Sequence, residues 1–161
     1  MEANRKVTVT PREDANAYLR IEEGGENGWA ASDTGGPTGD GVLDIDLDGG
    51  HGSTGGSGPN IRATTTLNDV FRVGNEHGGG DDVWVYVEFD TADGSVDEDD
   101  FDFYDSDGEP NDDSIVGEDN AVELGSGEEV EVGIWLDFDD DVDFTQVLNN
   151  IDIFAENEDP S

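Results

Sequence analysis

Four aspartates fall within nine residues, Asp105, Asp107, Asp112 and Asp113, around the turn Asp105-Ser106-Asp107-Gly108-Glu109-Pro110-Asn111. Hard carboxylate oxygens about a glycine are the donors that calcium takes. The spacing is not that of an EF-hand. The glycine follows the second aspartate directly, and Val116 stands where the bidentate glutamate belongs. The competing reading is a solvated loop, because 43 of the 161 residues are Asp or Glu and clusters arise by chance. His51 and His77 lie in separate glycine-rich stretches with no third ligand at a characteristic spacing. No G-x-S-x-G nucleophile motif occurs, and no carboxylate pair is singled out for glycoside hydrolysis. The expectation is a chain that is not an enzyme and has no cofactor, with calcium at Asp105, Asp107, Asp112 and Asp113 as the one metal to test.

Apolar residues alternate with polar ones in short runs, the period of half-buried strands. The central run is 67–89. Val83, Val85, Val87 and Phe89 alternate with Trp84, Tyr86 and Glu88, after a second apolar run at 69–73 and a glycine-rich link at 74–82. This predicts a β-hairpin at the centre of an antiparallel sandwich. Earlier strands are expected at 5–10, ended by Pro11, and at 17–22, followed by a loop over 23–41 that contains Trp29. Leu43, Ile45 and Leu47 alternate with Asp44, Asp46 and Asp48, and Ile61, Ala63 and Thr65 lead toward the hairpin. Phe101, Phe103 and Tyr104 mark a short aromatic strand in the acidic region 93–119, before Val122 and Leu124. Val130, Val132, Ile134, Leu136 and Phe138 form the longest strand signal, a partner for the hairpin. Phe144, Val147, Leu148 and Ile151 have the spacing of one helical turn, and 151–155 reads as a closing strand. The fold class predicted is all-β: one antiparallel, jelly-roll-like sandwich of about eight to ten strands over residues 1–161, with little helix. Trp84, Tyr86 and Trp135 lie opposite the apolar faces of their strands. They are candidates for an exposed aromatic platform, the alternative being cover by a loop.

The formal net charge is −37, with six Lys and Arg. A charge of this size destabilises a compact fold by self-repulsion, and molar salt, with a Debye length of about 3 Å, removes that cost. The acids are spread along the chain and the apolar residues are periodic, so a halophilic protein with an acidic surface that needs high salt to fold fits better than a disordered tail. No basic patch exists to hold nucleic acid. There is no cysteine, and no apolar stretch approaches the length of a membrane span. Strand-like sequence begins within a few residues of Met1, which suggests a mature start after a removed leader.

The order of elements resembles a known group. RKVTVTPREDANAYLRI leads to TTTLNDVFRVGN, then VWVYVEF, VELGSGEEVEVGIWLDF and NIDIFAENED, with 67–75 and 124–132 the nearest segments. The pattern is similar to that of secreted haloarchaeal surface proteins related to the TasA/camelysin group. The resemblance implies a jelly-roll-like sandwich, secretion to the cell surface and a structural role in extracellular filaments or biofilm matrix. It also implies assembly by an N-terminal donor strand that completes the next subunit's sheet. That strand corresponds here to residues 2–10, with Lys6, Val7, Thr8, Val9 and Thr10 at its centre. The metalloprotease activity associated with camelysins is not carried over, since no H-E-x-x-H is present. A monomeric surface adhesion or binding module, using calcium or the aromatic face, is the alternative from a different class.

Overall fold

In this computed structural model the structure describes residues 7–13, 19–26, 31–33, 43–45, 64–76, 79–91, 98–137 and 148–161. Ten strands follow in chain order: β1 (Val7–Glu13), β2 (Leu19–Glu23), β3 (Ala31–Asp33), β4 (Leu43–Ile45), β5 (Thr65–Asn75), β6 (Val83–Thr91), β7 (Phe101–Asp105), β8 (Val122–Leu124), β9 (Glu129–Leu136) and β10 (Leu148–Glu156). Helix among the described residues is limited to two single 3-10 turns, Glu98–Asp100 and Glu118–Asn120. The strands form two sheets, β3-β4-β1-β10-β6-β8 and β2-β5-β9-β7. Every strand pairing is antiparallel except that of β1 with β10. The fold is an all-β sandwich.

Alternation explains the core. Val83, Val85 and Val87 of β6 and Ile151, Ile153 and Ala155 of β10 line the inner face of the larger sheet. Phe71, Val73, Phe101, Phe103, Val130, Val132, Ile134 and Leu136 line that of the smaller one. Each Val, Leu, Ile or Phe side chain among them contributes on the order of 1.5–3 kcal/mol when fully buried. Phe89 closes one end by packing across the gap, its ring centroid 5.7 Å from those of both Phe101 and Phe103.

Four expectations are corrected. The runs at 69–73 and 83–89 are not a hairpin: β5 pairs with β2 and β9, whereas β6 pairs with β10 and β8. The seven-residue link over 76–82 carries the chain from one sheet to the other. Residues 31–33, expected in a loop, form β3. Leu148, placed in a helical turn, already belongs to β10. The first strand continues through Pro11 to Glu13. Among the described residues β4 pairs with β1 only as far as Val9, so beyond that point one side of β1 has no described strand partner, and a residue lacking N–H is tolerated there.

Candidate functional site

Of the expected donor segment 2–10, residues 7–10 are described and lie in β1, whose seat in the sheet is specific. On one side Val9, Thr10, Pro11, Arg12 and Glu13 pair in parallel with Ile151, Asp152, Ile153, Phe154 and Ala155. On the other, Val7, Thr8 and Val9 pair with Ile45, Asp44 and Leu43. Val7, Val9 and Pro11 therefore stand in register with Ile45, Ile151 and Ile153, all three buried. β1 thus joins β4 to β10, flanked on both sides at Val9 and on one side elsewhere among the described residues. Lys6 lies outside the described residues.

The acidic turn is held in place by a crossing segment and by its own carboxylates. Segment 114–117 crosses between the sheets: Ser114 bridges to Tyr104 of β7 and Val116 to Val87 of β6. Ile115 between them is 1% exposed, its N–H donating to Phe103 O and its carbonyl accepting from Val87 N. This clasp fixes the turn before it. Asp105 Oδ1 accepts the Asp107 N–H at 3.1 Å, Asp113 Oδ2 accepts the Glu109 N–H at 2.8 Å, and the Asp105 N–H donates to Asp113 O. Asp102, also buried, accepts from the Asn111 N–H at 2.9 Å and Ser114 Oγ at 2.6 Å. The acids thus cap the backbone of their own turn. Asp107 and Asp112 are exposed. No three acids or histidines among the described residues converge as a metal group. His51 and His77 lie outside those residues.

The aromatic platform is corrected. Trp84 and Tyr86 belong to the outer face of the larger sheet and Trp135 to that of the smaller one, so the three lie on opposite sides of the sandwich. Tyr86 is only 2% exposed. It stacks on Phe154 with centroids 5.0 Å apart and donates to Glu156 Oε1 at 3.1 Å. Burial, reinforced by Glu156, pushes its phenol well above the ordinary tyrosine range. Trp135 instead borders a groove of about 820 Å³, with Phe89, Phe101 and the acids Glu88, Asp90 and Asp102 among its lining.

A second polar centre was not legible. Register is lost between Leu67 and Phe71 of β5, where Asp69 adopts a left-handed φ of 46°. This bulge turns the Asp69 carboxylate onto Arg72 and onto the N–H groups of Gly25 and Glu26. Its own N–H donates to Ser106 Oγ at 2.8 Å. Arg72 reaches Glu129 and Glu131 on β9, and Arg20 reaches Glu22, Glu76 and Glu129. These two cations tie three strands of an acidic sheet face together. The only sequence signal was an Asp three residues before an Arg, inside an otherwise apolar run.

No protein-family model matches the chain, and neither a curated protein nor a solved structure matches it. No helix among the described residues is long and apolar enough to cross a membrane.

Proposed function

We propose that this chain is a non-enzymatic, secreted structural subunit of a halophilic archaeon, joined copy to copy into a cell-surface filament or biofilm matrix by exchange of β1. The observation that carries the reading is the seat of β1 between β4 and β10. Withdrawing β1 would leave β10 with an unpaired edge and uncover the flank of Ile45, Ile151 and Ile153. The same strand from a second copy satisfies that edge with no new chemistry. The hold on β1 is also modest. Parallel pairing is slightly weaker per residue than antiparallel, Pro11 donates no hydrogen bond, and among the described residues β4 offers three partners.

Three of the four outermost strands are poor routes of strand addition, and β2, five residues long, is the longest of the four that stays open among the described residues. The outermost strands of the larger sheet, β3 and β8, are three residues each. The outer side of β7 is already bonded to 113–115. Five residues, 14–18, separate β1 from β2. They and their flanking bonds reach at most about 20 Å, so a donated strand keeps two bodies in contact. Each copy both gives and receives, so an exchange that does not close on itself continues as a filament. The acidic composition fits a high-salt exterior, and the resemblance supplies the jelly-roll-like fibre proteins as the comparison.

Negative-stain microscopy and light scattering of the intact chain in about 3 M KCl, where charge is screened, test the reading. Filaments are expected, and a clean monomer at every concentration contradicts it. Because β1 joins β4 to β10, its deletion alone is a poor control. A chain lacking residues 1–13, supplied with a peptide of residues 2–13, should recover the fold and fail to polymerise.

A further inference from the structure

We infer that ionic strength sets whether β1 stays in its own sheet, because this strand and its approach carry half of the cations of a strongly acidic chain. The inference rests on the reading of β1 as the exchanged strand. Residues 1–13 carry three of the six cations, Arg5, Lys6 and Arg12, against two acids, Glu2 and Glu13. The remaining 148 residues carry three cations and 41 acids. The register places acids beside the strand's seat. Thr8 stands opposite Asp44, and Thr10 opposite Asp152, which itself faces Glu88 on β6. Arg12 stands opposite Phe154, between Asp152 and Glu156 on the same strand.

Two electrostatic effects then act in the same direction. In dilute salt the body's field attracts the basic segment and holds β1 at home, while two bodies of like charge repel. Both effects fade as the Debye length shrinks from about 10 Å at 0.1 M to about 3 Å at 1 M. Added salt therefore loosens β1 and at the same time lets a second copy approach. The rest of the sandwich responds oppositely, since screening relieves its self-repulsion and tightens it. A strand that loosens while its neighbours tighten is a salt-operated release.

Amide hydrogen exchange on the full chain reads this directly, at a concentration below that of polymer formation. The range runs from the lowest KCl at which β6 and β9 stay protected up to about 3 M. Protection of residues 7–13 relative to β6 and β9 is expected to fall about tenfold over that range. In the variant Arg5→Gln/Lys6→Gln/Arg12→Gln it should begin low and stay flat. If β1 gains protection in step with β6 and β9 in both chains, the inference is overturned. If β1 loosens as expected but sedimentation at higher concentration shows monomer in every salt, the salt release stands and strand donation falls.

Discussion

Asp69 and Arg72 lie three residues apart on one strand and yet meet on one face, Nη2 2.8 Å from Oδ2 and Nε 2.9 Å from Oδ1. In a regular strand, residues at that spacing point to opposite faces. The bulge at 68–70 reverses the parity, and the left-handed φ at Asp69 is a conformation that a short polar side chain tolerates. The carboxylate also fixes Gly25 and Glu26, so one residue joins the entry to the following loop, the kink in β5 and the salt bridges to β9. Asp69→Ala should cost about 2–4 kcal/mol, since it strands the Gly25 and Glu26 N–H groups and strains the backbone. Asp69→Asn, which tolerates the same φ, should cost less. Denaturant unfolding in high salt, followed by tryptophan fluorescence, measures both.

The same pair sets an acid limit. Hydrogen bonding to Arg72, with help from the Gly25 N–H, holds the Asp69 carboxyl below its ordinary 3.8 despite burial. The folded state therefore favours the ionised form. That stabilisation is present above about pH 4 and is lost as pH falls through the depressed value. Asp69→Asn should flatten the acid limb of the stability curve below pH 4 relative to the parent. An unchanged limb would mean that the pairing carries no linkage.

Glu131 has the opposite sign. Burial, with Asp69 nearby, raises its carboxyl above the ordinary 4.5, and Arg72 at 3.1 Å only partly offsets this. Its contribution is full below 4.5 and is lost as pH rises through the raised value. Glu131→Gln is expected to raise the melting temperature at pH 7 and to leave it unchanged at pH 4.

Gly133 lies on the outer face of β9 beneath Tyr104, where an added Cβ would sit 2.5 Å from the ring carbon Cζ. The Tyr104 hydroxyl donates to Asn68 at the bulge, so the ring cannot retreat without losing that bond. Gly133→Ala should destabilise by about 1–3 kcal/mol through overpacking. The double variant with Tyr104→Leu should recover part of the loss, and a double-mutant cycle measures the coupling.

Asn75 is 1% exposed, and its side-chain amide donates to Asp81 O and Leu124 O, both at 3.0 Å. It ties the link between β5 and β6 to the turn before β9. Asn75→Asp is nearly isosteric but sets a carboxylate against two carbonyls. A loss of about 2–3 kcal/mol is expected in the same unfolding assay.

The inner faces were readable because a period of two needs only neighbours: Val83, Val85 and Val87, or Val130, Val132 and Ile134, declare a buried side wherever they pair. Partners were not readable. A seven-residue link suits a hairpin or a crossing between sheets, and only the fold decides that β5 and β6 part company. Tyr86 reads as solvent-facing until Phe154 and Glu156 arrive from the far end of the chain. The register of β1 with β10 joins opposite ends of the sequence, and no local pattern announces it. The acids of the 105–113 turn show their composition plainly, whereas their use as backbone caps depends on the clasp that seats Ile115.

Strand exchange is tested most directly through the register of Val9 with Ile151. The chain has no cysteine, so one thiol can be placed at either position without competition. Chains carrying Val9→Cys and Ile151→Cys are mixed in high salt under mild oxidation, and the products are separated under denaturing conditions. Strand exchange predicts a covalent dimer of one chain of each kind, formed only if β1 of one copy lies beside β10 of another. A double variant that cross-links within one chain, while the mixture yields no mixed dimer, would contradict it.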